Sequence, residues 1–107
     1  VSAVLCSTDI LALGAISGAG KRGVPVPERL SIVGIDDLAF SAFTHPPLAS
    51  VGIPRPEIAA AAVSILDRIV GEASAQTGNA TEPPALIQTV DSCFIRRASL
   101  GPAPLGA

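Results

Sequence analysis

Two short runs, SAVLC at 2–6 and LSIVGI at 30–35, are apolar along their length and lack the polar alternation of a half-exposed strand. Strands of this kind are buried on both faces, as in parallel sheets covered by helices above and below. Between them Ser7, Thr8 and Asp9 supply three helix-capping residue types in succession. They lead into ILALGAISGAGKR, where Ile10, Leu13 and Ile16, joined by Leu11 and Ala15, fall at helical spacing. Strand, helix and strand at this length form a βαβ unit, which predicts an α/β architecture with parallel pairing.

The same stretch contains Gly18, Gly20 and Gly23 in the order G-x-G-x-x-G, with Lys21 among them. A dinucleotide-binding loop requires these glycines after a strand and before a helix, so that the helix N-terminus faces the phosphates. Here they end a helix and precede a strand, so the dipole points the wrong way. Arg22 follows Lys21 where a Walker loop needs Ser or Thr. Gly23 instead fits the residue just beyond a helix C-terminus, with Lys21 and Arg22 favouring the negative end of the dipole. Pro25 and Pro27 stop the helix from resuming.

Further along, LAFSAFTHPP at 38–47 predicts a loop or short helical turn, and LASVGI at 48–53 a third strand. A helix is expected over 57–70, with an apolar stripe at Ile58, Ala62, Ile65, Leu66 and Ile69, ended by Gly71. Residues 72–84 read as a polar linker, 85–90 and 93–99 as two closing strands within 85–99, and 100–107 as a disordered tail.

With 107 residues there is room for one small domain, and 49% apolar residues with only three aromatics predict a core of small aliphatic side chains. Seven basic against nine acidic residues give a net charge of −2, the wrong sign for gripping nucleic acid. No apolar run reaches the roughly 20 residues needed to span a bilayer, so no membrane partner is expected. Cys6, inside an apolar run, reads as a small hydrophobe. Two Cys and one His match no metal-ligand spacing, and unpaired thiols suit a reducing cytoplasm. The chain has no Met and opens within a strand, which leads us to expect a fragment of a longer protein.

In an open parallel sheet, ligands bind beyond the carboxyl ends of the strands. Ser7-Thr8-Asp9 follows the first strand and Asp36-Asp37 the second, bringing hydroxyls and carboxylates to one rim. That chemistry accepts hydrogen bonds from the hydroxyls of a sugar or nucleoside. Each acid also has a structural reading: Asp9 as a helix N-cap and Asp37 as a turn stabiliser. No acid–base pair, nucleophile–base set or metal cluster accompanies them, so no catalytic residue and no cofactor are expected.

AVLCSTDILALGAI, KRGVPVPERLSIVGIDD, THPPLASV and RPEIAAAAVSIL resemble the C-terminal half of the lactose-repressor/galactose-repressor (LacI/GalR) family of bacterial transcription regulators. The likeness covers residues 1 to about 71 and resumes at FIRRAS. It implies a partial Rossmann-like parallel sheet of the periplasmic-binding-protein-like (type I) fold. Residues 1–53 would supply the βαβ part of the second lobe, and 54–71 one helix of the first. The implied function is effector binding and homodimerisation in a cytoplasmic, non-enzymatic repressor. DNA would be contacted only through an N-terminal headpiece outside this chain. A sugar-binding protein of a periplasmic transporter shares the fold and is the alternative. By matching position, Asp36 is implied as an effector ligand; Asp9 is a further ligand-binding candidate from its place on the rim. Thr8 stands where many members carry an Asn, and a hydroxyl cannot make the two-pronged contact of an amide. Gly52-Ile53 replaces a polar pair. The dimer face implied is Leu13, Ile16, Phe43 and Thr44.

Overall fold

A computed structural model of the chain describes residues 1–75, 78, 86–103 and 105. It divides into two compact units, one formed by Val1–Ile53 together with the chain from Ser92 onward, the other by Pro54–Asp91.

The first unit is built on a four-stranded sheet in the order β1-β2-β3-β4. β1 (Ala3–Leu5), β2 (Ser31–Asp36) and β3 (Ala49–Gly52) run parallel, and β4 (Cys93–Ile95) returns antiparallel beside β3. Helix α1 (Asp9–Lys21) connects β1 to β2, and a single 3-10 turn (Ala39–Phe43) lies between β2 and β3. The parallel α/β expectation is met.

Thr8, not Asp9, is the N-cap of α1: its backbone is extended and its Oγ1 accepts the Leu11 N–H at 3.3 Å. This corrects the capping role expected of Asp9, which is the first helical residue and points inward. At the other end the glycine triplet resolves into a helix terminator. The Gly23 N–H donates to the Gly20 carbonyl and the Val24 N–H to the Ala19 carbonyl, with Gly23 at φ +66°. These two bonds define a Schellman motif, whose left-handed residue is glycine because a Cβ is unfavourable there. The carbonyls that a phosphate loop would turn away are the ones being satisfied.

One face of the sheet carries the core. Ala12 and Ile16 of α1 pack with Ile32 and Leu48, and Cys6, Ala15, Val26 and Leu30 close around them. Burying a side chain the size of Ile32 or Leu48 contributes about 1.5–3 kcal/mol. The helix presents Asp9, Ala12, Ile16 and Ala19 inward, leaving Ile10, Leu11 and Leu13 exposed. Register places Val4, Ile32, Gly34 and Ser50 on the helix side and Leu5, Val33, Ile35, Val51 and Phe94 on the other. The second side is only half covered: Leu5 is 68% exposed. β1 is therefore not buried on both faces within this chain, because α1 covers one face only.

The C-terminal segment stitches the amino ends of β2 and β3. Ser99 is fully buried; its Oγ donates to the Ile32 carbonyl at 2.6 Å and accepts the Ala49 N–H at 2.8 Å. Its backbone carbonyl accepts the Ile32 N–H, and its N–H reaches the Pro47 carbonyl. Gly101 donates to Ser31 Oγ, so the expected disorder does not begin at residue 100. Residues 104, 106 and 107 of that tail lie outside the described residues.

The second unit contains α2 (Arg55–Ala75), which starts earlier than expected and runs through Gly71 instead of stopping there. Nothing lies within 4 Å of where a Gly71 Cβ would be, and an isolated glycine in a helix costs only about 1 kcal/mol relative to Ala. Most of the expected 72–84 linker lies outside the described residues. Residues 86–90 form no strand, so of the two closing strands only the second is present, shortened to β4.

Candidate functional site

The carboxyl ends of β1, β2 and β3 lie along one edge of the sheet, with Cys93 of β4 paired to Gly52 at its end. Thr8 stands on the turn beyond β1. Asp36 closes β2 and pairs in register with Gly52. Thr8 is half-buried and its hydroxyl oxygen accepts the Leu11 N–H, leaving the hydroxyl proton and one lone pair to offer a ligand.

The chain leaves β2 through two consecutive non-glycine residues with positive φ, Asp36 at +117° and Asp37 at +48°. Such conformations cost about 1–3 kcal/mol each and persist only where the surroundings impose them. The surroundings do so here. The Asp37 N–H donates to Ser50 Oγ at 3.1 Å, and the Leu38 N–H donates to Asp9 Oδ2 at 2.9 Å. Asp37 Oδ1 accepts from Arg97 Nη2 at 2.7 Å in a half-buried ion pair, while Arg97 Nη1 donates to the Leu48 carbonyl at 2.8 Å. The guanidinium thereby pins the turn to the start of β3 through two separate nitrogens.

Asp9 is the centre of this arrangement. It is fully buried, and its carboxylate accepts from the Leu38 N–H, the Ser41 hydroxyl and the Ser50 hydroxyl, the last at 2.6 Å. Both oxygens are engaged by the protein itself, as a buried charge requires. This corrects the expectation of Asp9 as an effector contact: its lone pairs are turned into the fold. Gly34 makes room for it. A Cβ at Gly34 would lie 2.1 Å from Asp9 Oδ1 and 3.1 Å from Asp9 Cα.

Of the four residues implied for a dimer face, Phe43 is 86% exposed and Leu13 41% exposed. Ile16 is not available to a partner; it is 9% exposed and belongs to the core cluster. Its place three residues beyond Leu13 turns it toward the sheet. Thr44 is half-buried, and its hydroxyl lies within hydrogen-bonding distance of the Ser41 and Pro46 carbonyls, so it serves the loop.

Both cysteines are free. Cys6 is half-buried against the core, and burial pushes its thiol pKa up; Cys93 is exposed on the rim. Among the described residues no group of three His, Cys, Asp or Glu could hold a metal ion, and no helix is long and apolar enough to cross a membrane. Sequence reasoning did not identify Ser41, Ser50, Arg97 or Ser99. One signal was present: Ser50 interrupts an otherwise apolar strand, and a hydroxyl there needs a buried partner.

A family model described as a periplasmic binding protein-like domain matches residues 2–93. The HTH-type transcriptional repressor CytR of Escherichia coli (strain K12) is 43% identical over 72 residues, covering 66% of this chain and 21% of the relative. The HTH-type transcriptional repressor PurR of Pasteurella multocida is 37% identical over 86 residues, 80% of this chain and 26% of the relative. The chain therefore spans about a fifth to a quarter of the length of these curated relatives. Among solved structures, a putative transcriptional regulator of the LacI family from Sanguibacter keddieii aligns with a TM-score of 0.77 at 38% identity, over 94% of this chain and 36% of that one. A LacI family transcriptional regulator from Lactobacillus casei with bound sucrose aligns with a TM-score of 0.69 at 31% identity, over 92% and 33%.

Proposed function

Since this chain belongs to the periplasmic binding protein-like domain family, and its relatives are LacI-family transcription regulators, we propose that it is the effector-binding and dimerisation segment of a cytoplasmic, non-enzymatic transcription regulator. Asp36 anchors the effector. The observation that carries this reading is the held turn at the carboxyl edge of β2, where two acidic residues keep left-handed backbone conformations under three separate anchors. Rigid presentation of a carboxylate at a strand end suits a ligand bearing several hydroxyls, since a carboxylate accepts two such donors at once. A sugar or nucleoside fits that description, and sucrose in the Lactobacillus casei relative supports the choice of class.

Gly52 faces Asp36 across the β2–β3 pair, and the Ile95 side chain fills the space that a side chain at 52 would take. Thr8 offers one hydroxyl proton and one lone pair. The exposed Phe43, with Leu13, forms the self-association face. Effector binding shifts the equilibrium between two lobe arrangements of the intact protein and so changes operator affinity. DNA contact belongs to another part of the protein, as the acidic balance of this chain requires.

The test is made on the full-length protein that contains this chain. Its own promoter region is the gel-shift probe, titrated with a panel of mono- and disaccharides and nucleosides. One of these should change operator affinity by 5-fold or more, the lower end of ordinary allosteric coupling. Sequence-specific shift by the isolated 107-residue chain, or tight binding of the panel by a protein with no DNA affinity, would contradict the proposal; the latter would favour the transporter reading.

A further inference from the structure

We propose that Asp9 is a positioning residue whose single buried carboxylate ties the presentation of Asp36 to the placement of the 3-10 turn carrying Phe43, so that the two respond together. The inference rests on the reading above, in which Asp36 takes the effector and Phe43 meets a second copy.

Its basis is the sharing of one group by two elements. From Asp9 Oδ1 the chain of bonds runs to the Ser50 hydroxyl, and Ser50 Oγ in turn accepts the Asp37 N–H, the peptide group directly after Asp36. From Asp9 Oδ2 it runs to the Leu38 N–H and the Ser41 hydroxyl, which hold the beginning and middle of the 3-10 turn. Ser41 is also the backbone pivot of that turn: its N–H donates to the Leu38 carbonyl and its carbonyl accepts the Leu48 N–H. Phe43 is two residues on.

Asp9 cannot yield to one side without disturbing the other. Its Oδ1 is held against the backbone of Gly34, where even a methyl group would not fit, and Asp9, Ser41 and Ser50 are each fully buried. Rotating the carboxylate to follow Ser50 withdraws it from Leu38 and Ser41. No solvent is at hand to replace the lost bonds, and an unpaired buried charge is strongly disfavoured. Hydrogen bonds around one buried charge also reinforce each other, so the loss of one weakens those that remain. A purely local scaffold would need two acceptors, one per element. This fold uses one, placed on the first turn of α1.

Amide hydrogen exchange on the ligand-free full-length protein tests the proposal, with Ser50→Ala, Ser41→Ala and the double variant. Ser50→Ala should speed exchange at Asp37, and also at Ser41 and Leu48 on the far side of Asp9, by about tenfold. Ser41→Ala should do the reverse, reaching Asp37. In the double variant the accelerations should fall well short of the product of the single effects, because both act through one carboxylate. Ser50→Thr, which keeps the hydroxyl, should restore slow exchange at Ser41. The Ile32 and Val24 amides, bonded elsewhere, should stay at wild-type rates and so show that the variants remain folded. The proposal is overturned if each variant affects only its own side, or if the effects multiply. Global acceleration that includes Ile32 and Val24 in both single variants would also overturn it, since the network would then be general support. The outcome is separate from the effector reading, which is decided by ligand titration of Asp36 variants.

Discussion

Gly34→Ala should be among the most damaging single-methyl additions this chain can receive, and the reason is one distance. An ideal Cβ at position 34 falls 2.1 Å from Asp9 Oδ1 and 3.1 Å from both Asp9 Cα and Cγ. The oxygen cannot simply swing aside, because it accepts the Ser50 hydroxyl at 2.6 Å while its partner accepts from Leu38 at 2.9 Å and from Ser41. The added methyl would also press on the Asp9 backbone and so hold the first turn of α1 away from β2. Relief therefore means rotating the carboxylate or lifting the helix end, and either breaks at least two of the three bonds. Hydrogen bonds to a charged group are worth about 1.5–3 kcal/mol each, so the expected loss is about 3–6 kcal/mol. A domain's whole stability is about 5–15 kcal/mol. In urea, with a slope of about 2 kcal/mol/M, the midpoint should fall by roughly 2 M. Gly14→Ala is the control, since nothing lies within 4 Å of a Cβ there and α1 should gain up to about 1 kcal/mol. A Gly34→Ala midpoint within about 0.3 M of wild type, worth about 0.6 kcal/mol at that slope, would mean that Asp9 gives way to the methyl without losing its bonds.

The other glycines separate by backbone conformation. Gly18→Ala and Gly20→Ala, inside α1 with open space around them, should each raise thermal stability by up to about 1 kcal/mol, whereas Gly23→Ala at φ +66° should lower it by about 1 kcal/mol; equal effects at all three would contradict the helix-terminator assignment. Asp9→Asn should destabilise by about 2–4 kcal/mol, because its NH2 would replace one oxygen and so face either the Ser50 hydroxyl or the Leu38 N–H and Ser41 hydroxyl, which now donate to it, and a near-neutral chemical denaturation curve would count against the hub. Thiol alkylation at pH 8 should modify Cys93 well before Cys6. Cys93 is exposed, while the raised pKa of the half-buried Cys6 leaves less thiolate at that pH, and equal rates by mass spectrometry would argue against the placement of Cys6.

The parallel sheet was legible because apolar runs of strand length flanked a capped helix, and the end of α1 because Gly23 and Pro25 mark it in sequence. What was not legible depended on three dimensions. Thr8 and Asp9 are adjacent and both cap well, so only the path of the chain decides which caps and which turns inward. Ile16 fits an exposed stripe as well as a buried one until the sheet is placed beneath α1. The partners of Asp9 lie 29 to 41 residues away, and no local pattern links Ser41 or Ser50 to it. Gly34 and Ser50, two small residues interrupting apolar strands, were the trace that this packing left in the sequence. Gly71 misled in the opposite direction: a glycine near an expected helix end was tolerated inside α2.

Asp36 is proposed to anchor a hydroxylated effector at the carboxyl edge of the sheet. Calorimetric titration of full-length wild type and Asp36→Asn with the sugar or nucleoside that shifts operator binding tests it directly. Replacing the carboxylate with an amide removes one acceptor oxygen and the charge, and should weaken binding tenfold or more, about 1.4 kcal/mol or above. Operator affinity without effector should remain within about twofold. An Asp36→Asn protein that binds the effector as tightly as wild type would contradict the account.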